Sequence, residues 1–360
     1  MAIRLVVLPG DGIGPEITAA TQDVLACVDR MFGLGLALDV REIGLAALRR
    51  GRSTCSPDVL DACRSADGVV LGPVSTADYP PAEQGGINVS AHLRINLDLF
   101  ANIRPSRSRA GLPHWGRTPM DLVIVRENTE GFYADRSMHQ GPGEWMPTPD
   151  IALSMRKITA RASSRIARVA FDIAGSRRRR VTAVHKSNVL KTTEGLFLGE
   201  VRKIAAAHPD VQYDEQLVDS MAALLVRDAA RFDVVVTTNM FGDILSDEAA
   251  ELSGSLGLAA SINAGDEHCV AQAQHGSAPD IAGQDRANPI SLILSAAMLL
   301  EWVSRRRGAP PLADAARAID RAVDRLVHDA STRTADLGGS LGTTAFTKLL
   351  CQEIEAHGRR

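Results

Sequence analysis

The segment Ile3-Arg-Leu-Val-Val-Leu-Pro-Gly-Asp-Gly-Ile-Gly-Pro-Glu16 predicts a strand, a glycine-rich loop and a helix in direct succession. Residues 3–8 are mostly apolar and rich in β-branched side chains, as in a buried strand. A Pro-Gly pair ends this strand, and the later Pro-Glu pair suits the first turn of a helix that extends to residue 30. The loop has the spacing GxGxG, whereas a dinucleotide fingerprint has GxGxxG and an acidic residue about 20 positions further on. The segment therefore predicts a tight turn and not a Rossmann fold.

Strand and helix patterns continue to alternate along the chain and predict an α/β fold. The predicted strands cover residues 3–8, 38–43, 68–71, 122–126, 181–185, 211–218 and 232–237. The predicted helices cover residues 15–30, 57–65, 89–97, 159–174, 289–303, 313–327 and 343–355. Strands that alternate with helices pair through crossover connections, so we expect a parallel or mixed sheet covered by helices.

The length of the chain, 360 residues, favours two domains of ordinary size. Hydrophobic residues make up 45% and charged residues 23% of the composition, which is typical of a folded globular protein. The net charge of −3, with basic residues spread along the chain, gives no general argument for binding nucleic acid or an anionic membrane. Residues 131–150 are rich in Gly, Pro and polar side chains, which predicts a protruding arm or a long loop.

The cysteines and the apolar runs indicate a cytoplasmic protein. The 5 cysteines are odd in number and form no CxxC pair, which argues against a disulfide framework or a thiolate zinc site. The N-terminal apolar run ends too early for a signal peptide. The longest other apolar run, residues 290–300, is shorter than a membrane span and predicts a buried core helix.

Three arginines, Arg94, Arg104 and Arg126, lie where predicted elements end, and their planar forks suit carboxylate ligands. Taken singly, each would more often be a surface cation. Asp243 and Asp247 are four residues apart and so lie on one helical face, where their mutual repulsion suits a hard cation such as Mg²⁺ or Mn²⁺. A solvated helix face is the alternative.

Further candidates follow strands or polar runs. Lys186 directly follows a predicted strand, where a nearby cation would make it a base, although a solvated lysine is equally consistent. Tyr133 follows a polar run and by itself suggests only packing. Asp280 lies in a glycine-bounded loop and either accepts hydrogen bonds from ribose hydroxyls or belongs to a plain turn. The basic run 177–180 is expected to be a solvated turn.

Several of these residues lie in motifs that occur together and in one order. The motifs are Leu8-Pro-Gly-Asp-Gly-Ile-Gly-Pro-Glu16, Leu93-Arg94, Leu99-Phe-Ala-Asn-Ile-Arg-Pro105, Val125-Arg-Glu-Asn-Thr-Glu-Gly131, Asn239-Met-Phe-Gly-Asp-Ile-Leu-Ser-Asp247 and His275-Gly-Ser-Ala-Pro-Asp280. Through them the chain resembles, over nearly its whole length, the β-decarboxylating dehydrogenases that act on isocitrate, isopropylmalate, homoisocitrate or tartrate. That resemblance implies an NAD-dependent and Mg²⁺- or Mn²⁺-dependent oxidative decarboxylation of a 3-substituted malate.

The resemblance also implies a role for each candidate residue. The malate carboxylates would be bound by Arg94, Arg104 and Arg126, and the C3 substituent by Asn88 and Ser90. The acid–base pair would be Tyr133 and Lys186, and the metal ligands would be Asp219, Asp243 and Asp247. NAD would be bound by Asn188, His275, Gly276, Asp280, Ile281 and Asn288.

In the family that the chain resembles, two copies share their active sites. The resemblance thus implies a homodimer in which Lys186 and Asp219 complete the neighbour's site. It also implies a large domain of residues 1–98 and 253–360, and a small domain of residues 99–252 with a dimerisation arm near residues 131–157.

The segment Gly86-Ile-Asn-Val-Ser-Ala-His-Leu-Arg94 departs from the family patterns. It lacks the Glu and the paired leucines of isopropylmalate enzymes, and its Asn and Ser stand in the reverse order from isocitrate enzymes. We therefore expect a polar C3 substituent, of the isocitrate or homoisocitrate type, with isopropylmalate, tartrate or malate as alternatives.

A catalytically silent regulatory subunit and a nucleic-acid-binding protein are the alternatives from other classes. The first would be expected to lose one of the charged site residues, and the second rests only on the basic run 177–180.

Overall fold

The structure is a computed structural model that describes residues 2–133, 138, 141 and 143–358. In this part of the chain the strands are β1 (Ile3–Leu8), β2 (Leu36–Val40), β3 (Gly68–Leu71), β4 (Ala101–Arg107), β5 (Asp121–Glu127), β6 (Glu144–Thr148), β7 (Ile151–Ser154), β8 (Arg180–His185), β9 (Gln212–Leu217), β10 (Val234–Thr237), β11 (Ile262–Ala264) and β12 (Cys269–Gln272). The helices are α1 (Gly14–Phe32), α2 (Gly44–Arg49), α3 (Pro57–Ser65), α4 (Val89–Asn96), α5 (Ala160–Gly175), α6 (Lys191–Ala206), α7 (Val218–Asp228), α8 (Asn239–Ser253), α9 (Ile290–Arg307), α10 (Pro310–His328) and α11 (Thr343–His357).

One sheet of ten strands runs through the described residues in the order β2-β1-β3-β12-β11-β4-β5-β10-β8-β9. The strands toward each edge of the sheet pair in parallel. Three neighbouring pairs in the middle of the strand order are antiparallel: β12 with β11, β11 with β4, and β4 with β5. The predicted α/β class with a mixed sheet and flanking helices is therefore confirmed.

The apolar core separates into groups on either side of the middle of the sheet. One pair of clusters is built almost wholly from the two ends of the chain and includes Leu5, Ile17 and Leu299. The other pair is built from the middle of the chain and includes Phe171 and Phe232. The domain boundaries at residues 98/99 and 252/253 stay a prediction. If they hold, the first pair of clusters would form the core of the large domain and the second pair the core of the small domain.

Helix α9 fills the centre of the largest cluster, as the apolar run 290–300 predicted. Its residues Leu292, Ile293, Leu299 and Leu300 are almost completely buried. Within the described ranges, every helix falls short of the combined length and apolar character that a membrane crossing requires.

The long elements to which the sequence assigned bounds agree with the structure, and the errors in those bounds concern short strands. Helices α6, α7 and α8 were given no bounds from the sequence. The second strand is Leu36–Val40 instead of residues 38–43, because Ile43 is instead a buried residue that directly precedes helix α2. Strands β4, β11 and β12 were not predicted. Each carries polar side chains among its apolar ones, so the sequence lacks the continuous apolar run of a buried strand.

The predicted arm contains an antiparallel hairpin of β6 and β7, whose residues are all exposed. It presents the apolar side chains of Trp145, Met146, Ile151 and Leu153 on its surface. Residues 134–137, 139, 140 and 142 of the predicted arm lie outside the described residues. A small exposed hairpin with apolar side chains has little to stabilise it within one chain.

Candidate active site

The glycine-rich loop after β1 is held together by the buried carboxylate of Asp11. Its oxygens accept hydrogen bonds from the amides of Leu45 (2.7 Å) and Ser75 (3.0 Å) and from the hydroxyl of Tyr79 (2.5 Å). Burial and the bond to Asp11 raise the pKa of Tyr79 well above its usual value. The motif is therefore a structural turn whose aspartate joins three separate segments.

The same loop packs against the segment that contains the predicted coenzyme residues. Ile13 N donates to the carbonyl oxygen of Ser277 over 2.8 Å. A Cβ atom at Gly12 would lie 1.9 Å from that oxygen, and Gly12 has a φ of +57°. Only glycine combines this left-handed conformation with so close an approach.

Two of the three predicted arginines lie side by side at the middle of the sheet. Arg104 is on β4 and Arg126 on β5, and in this antiparallel pair Arg126 is opposite Asn102, two residues from Arg104. The two guanidinium groups thus project from the same face of the sheet. Both residues are buried, with exposed fractions of 6% and 2%.

Helix α8 places two carboxylates against these arginines. Asp243 forms ion pairs with Arg126 and, at 3.4 Å, with Arg104. Asp247, one turn later, accepts from Arg104 at 3.0 Å and from Gln274 Nε2 at 2.8 Å. The arginines offset the repulsion between the two carboxylates, so the face predicted from their spacing is charged and partly buried instead of fully solvated.

Burial acts strongly on both guanidinium groups. Desolvation lowers the pKa of Arg126 to about 10 and also lowers that of Arg104, while the aspartates oppose both changes. Both groups remain cationic at neutral pH. Arg104 Nε is buried and has no hydrogen-bond partner among the described residues, so it can donate to an added acceptor such as a carboxylate.

Asn239 orients Arg126 and was not predicted from the sequence. Its Oδ1 accepts from Arg126 Nε (3.0 Å) and Nη2 (2.7 Å), and its Nδ2 donates to the carbonyl oxygen of Glu130 (2.9 Å). It lies four residues before Asp243, so the helical spacing was the one signal that could have indicated it. Gly242 lets the helix approach, since a Cβ there would lie 2.6 Å from Arg126 Cβ.

Tyr133 joins this cluster from the start of the arm. Its hydroxyl is 3.5 Å from Asp243 Oδ2, which is the limit of a hydrogen bond. The structure thus brings together Arg104, Arg126, Tyr133, Asp243 and Asp247, as the assigned roles require.

Helix α4 carries the other three predicted substrate residues. Asn88 is its N-cap, and its Oδ1 accepts from the amide of Ala91 at 3.0 Å. Ser90 accepts a hydrogen bond from Gln272 Nε2 at 2.8 Å, and Arg94 follows one turn later on the same face. The side chain of Asn88 thus has a structural role in capping the helix, in addition to its predicted role.

Lys186 and Asp219 lie together, but apart from the other predicted metal ligands. Lys186 Nζ donates to Asp219 Oδ1 over 2.7 Å, and this bond lowers the pKa of the exposed aspartate. Among the described residues, no group of three or more His, Cys, Asp or Glu side chains is placed to hold a metal ion. One chain therefore does not assemble the three predicted metal ligands.

The turn after β8 that carries Lys186 is fixed by a buried ion pair. Glu194, which is fully buried, accepts from Lys186 N at 2.9 Å and pairs with Arg156. The guanidinium of Arg156, just after the arm hairpin, also lies over the rings of Phe132 and Phe241 at 5.6 and 5.3 Å. The base of the arm, helix α8 and the Lys186 turn are thus connected.

The predicted coenzyme residues lie in different environments. Asn188 is exposed in the Lys186 turn, and Gly276 and Asp280 are exposed in the loop before helix α9. Asp280 and the half-buried Ile281 belong to a short 3₁₀ turn, Pro279–Ile281.

His275 and Asn288 differ in how their side chains are hydrogen-bonded. Burial lowers the pKa of His275, so its ring is neutral at pH 7, and its Nε2 has no partner within the described ranges. Asn288 accepts from Ile290 N and donates to Asp336 Oδ2, both over 2.9 Å. The amide of Asn288 therefore holds the start of helix α9.

The basic run 177–180 is more structural than a solvated turn. Arg177 pairs with the buried Asp233 at 2.8 Å, and Arg180 donates to the carbonyl oxygen of Arg231 at 2.6 Å. Arg178 and Arg179 are exposed. The expectation of a solvated turn was wrong for the two end residues, because the carboxylate of Asp233 and the carbonyl oxygen of Arg231 accept their hydrogen bonds.

Comparisons with known proteins identify the family. The model of the isocitrate/isopropylmalate dehydrogenase family matches residues 4–354. The chain belongs to this family, whose members are dehydrogenases that act on hydroxy acids.

The chain is similar over almost its full length to several named enzymes. It is 40% identical over 359 residues to isocitrate/homoisocitrate dehydrogenase of Thermus thermophilus, covering 99% of this chain and 100% of that one. It is 39% identical to 3-isopropylmalate dehydrogenase of Archaeoglobus fulgidus, over 95% of this chain and 97% of that one. The crystal structure of isocitrate dehydrogenase from Methylococcus capsulatus matches with a TM-score of 0.86 at 38% identity, covering 98% and 99% of the two chains.

Proposed function

We propose that the protein is an NAD-dependent and Mg²⁺- or Mn²⁺-dependent dehydrogenase that oxidises and decarboxylates a 3-substituted malate of the isocitrate or homoisocitrate type. The observation that carries the proposal is the cluster of two buried arginines, Arg104 and Arg126, beside two aspartates on one helical turn. A dicarboxylate and a divalent cation together satisfy both signs of charge in this cluster.

The substrate carboxylates are assigned to Arg94, Arg104 and Arg126. Arg104 and Arg126 are held in place by Asn239, Asp243 and Asp247, so little freedom is lost when a substrate binds. Planar guanidinium groups bind carboxylates in a fixed orientation, which would direct C2 of the substrate toward the coenzyme.

The metal ligands are assigned to Asp243 and Asp247 together with Asp219 of the partner subunit. Carboxylate oxygens are the donors that Mg²⁺ and Mn²⁺ prefer, and the side chains of Asp243 and Asp247 are 36% and 53% exposed, so they are accessible to a cation. When bound, the ion would supply Lewis acidity toward the C2 oxygen during oxidation and decarboxylation.

Proton transfer is assigned to Lys186 and Tyr133. Lys186, supplied by a second copy, would take the C2 hydroxyl proton through a water molecule. NAD, when bound, would supply the acceptor for the hydride that leaves C2. Tyr133 would return a proton to C3 after carbon dioxide leaves. Its hydroxyl lies beside Asp243, and therefore beside the assigned substrate position.

A homodimer with shared sites is supported by two observations. Lys186 and Asp219 form an exposed pair away from Asp243 and Asp247. The arm hairpin presents Trp145, Met146 and Ile151 on its surface, and Val189 in the Lys186 turn is 65% exposed. Apolar groups of this kind, close to an incomplete site, are typical of a protein–protein interface.

NAD, and not NADP, is the proposed coenzyme because of Asp280. Its exposed carboxylate would accept hydrogen bonds from both ribose hydroxyls, whereas a 2′-phosphate would meet a like charge. His275, with its buried Nε2 available for a hydrogen bond, is assigned to the adenosine side. Gly276, Ile281 and Asn288 are assigned to the same side, and Asn188 to the nicotinamide.

The test is an NADH-formation assay with Mg²⁺ or Mn²⁺ on isocitrate, homoisocitrate, isopropylmalate, tartrate and malate, repeated with NADP. We expect metal-dependent turnover with NAD and the highest kcat/KM for isocitrate or homoisocitrate. Turnover of isopropylmalate alone would contradict the substrate type. The absence of turnover with all five acids would contradict the enzyme assignment and favour a silent regulatory subunit.

A further inference from the structure

A line of buried amide side chains connects the middle of the sheet to Ser90. Asn128 Nδ2 donates to Asn263 Oδ1 over 2.9 Å, and Asn263 Nδ2 donates to Gln272 Oε1 over 3.3 Å. Gln272 Nε2 then donates to Ser90 Oγ over 2.8 Å. We call these three amides the amide relay.

The direction of every bond in the amide relay is fixed at its first member. Asn128 Nδ2 also donates to the backbone carbonyl of Leu99 over 3.0 Å, and a carbonyl can only accept. This contact determines which atom of Asn128 is the nitrogen. Asn263 must then present its oxygen to Asn128 and its nitrogen to Gln272, which in turn must present its nitrogen to Ser90.

Burial keeps water away from the first two amides of the relay. Asn128 and Asn263 are 3% and 2% exposed, and Gln272 is half-buried between them and Ser90. In such surroundings an amide that faced its neighbour with the wrong end would leave two like groups unpaired, which is costly. The relay therefore has one stable arrangement.

We propose that Gln272 is a positioning residue that makes Ser90 a hydrogen-bond donor toward the C3 substituent of the substrate. Ser90 Oγ already accepts from Gln272, and within the described residues it donates to no protein acceptor, so its hydrogen is available for a ligand. Ser90 lies one helical turn before Arg94, which is assigned to a substrate carboxylate. The inference rests on the proposed function and narrows it to substituents that end in a hydrogen-bond acceptor, such as a carboxylate.

Gln272→Glu tests the direction of the hydrogen bond between Gln272 and Ser90, because it changes the donor and leaves the size of the side chain nearly constant. A carboxylate cannot donate to Ser90, and it would instead accept the Ser90 hydrogen and remove it from the substrate. We expect KM for isocitrate or homoisocitrate to rise about 10-fold with kcat little changed. For malate, which has no C3 substituent, kcat/KM should change less than about twofold.

Ser90→Ala is the second variant, because it removes the hydroxyl without adding a buried charge. It should lower the preference for substituted over unsubstituted malate by the same factor, and adding Gln272→Glu to it should cause no further loss of that preference.

Asn102→Asp is the matched control. Asn102 is a buried amide on neighbouring strand β4 that donates to Ser261 Oγ and to the carbonyl oxygen of Ile262, outside the relay. The Asn102→Asp protein should have a lower Tm than the wild type and the same preference for substituted over unsubstituted malate.

Calorimetric binding of isocitrate, homoisocitrate and malate in the presence of Mn²⁺ separates this inference from the proposed function. A wild-type protein that binds the substituted acids more tightly than malate, and loses the difference in Gln272→Glu, supports the relay even if no NADH forms. An equal loss for substituted and unsubstituted acids would show a general structural defect and overturn the inference. An unchanged preference in both Gln272→Glu and Ser90→Ala would also overturn it.

Discussion

The candidate site consists of two regions that differ in how much one chain does to build them. In the cluster around Arg104 and Arg126, strands and helix α8 hold every charged group against a partner. In the second region, Asp219 at the start of helix α7 and Asp280 in its loop are exposed, and among the described residues the side chains of Lys186 and Asp219 pair with each other. The first region is therefore preorganised by the fold, whereas the second needs a second copy or a coenzyme to complete it.

The largest expected effect concerns the preorganised region. Asp243→Asn and Asp247→Asn should each lower metal-dependent kcat/KM by at least about 100-fold, because each removes negative charge from the proposed cation site. The measurement is initial rate against Mg²⁺ and Mn²⁺ concentration. Glu248→Gln, on the same helix but outside the cluster, is the control and should retain activity. Unchanged rates and metal response in both aspartate variants would remove the metal assignment.

The next effect concerns the exposed coenzyme turn. Asp280→Lys/Ile281→Tyr should shift the ratio of kcat/KM for NADP over NAD by about 10- to 100-fold, since a cation replaces the carboxylate that would face a 2′-phosphate. Gln284→Lys, which adds a charge nearby and leaves Asp280 in place, should shift it much less. A wild-type protein that prefers NADP would contradict the coenzyme assignment.

A mixing experiment tests whether the two regions of one site come from different chains. Lys186→Ala and Tyr133→Phe/Arg94→Ala should each be inactive alone, and after subunit exchange their equal mixture should recover about a quarter of wild-type activity, because half the dimers would contain one intact site. Lys186→Ala mixed with Asp219→Asn is the control and should recover nothing, since both changes affect the same contributed half. No recovery in the first mixture, with exchange proven by a tagged chain, would argue against shared sites.

The smallest effect concerns Glu130, a buried carboxylate behind the preorganised region that has no arginine partner in the described structure. Burial raises its pKa from 4.5 to about 7. Its contribution to stability is thus complete below pH 4.5 and is lost as the pH rises through about 7. Glu130→Gln keeps an acceptor for the amide of Thr159 and should be more stable than the wild type by roughly 1–2 kcal/mol at pH 8, but not at pH 4.5.

The measurement is urea unfolding of both proteins at the two pH values. Exposed Glu83→Gln is the control and should show no such pH dependence. An equal stability difference at both pH values would contradict the shifted titration.

Periodicity and local motifs determined most of the long elements of this protein. Helices α3, α4, α5, α9, α10 and α11 formed close to where the apolar spacing placed them, because each has a face that must be buried. A single residue type also predicted local structure where the backbone takes a left-handed conformation that favours glycine, as at Gly12 with its positive φ. The motif order also identified the arginines and aspartates that the structure brings together.

Tertiary structure alone decided the pairing of short strands and the partners of polar groups. Strands β11 and β12 are only three and four residues long, so their place in the sheet depends on neighbours distant in sequence. Gln272 carries no sequence signal, and Asn239 has only its helical spacing from Asp243, since an amide gains its role from the groups it faces. The separation of Asp219 from Asp243 and Asp247 in one chain agrees with the shared sites that the resemblance implies, but the distance between these side chains is set by the packing of the sheet and helices between them.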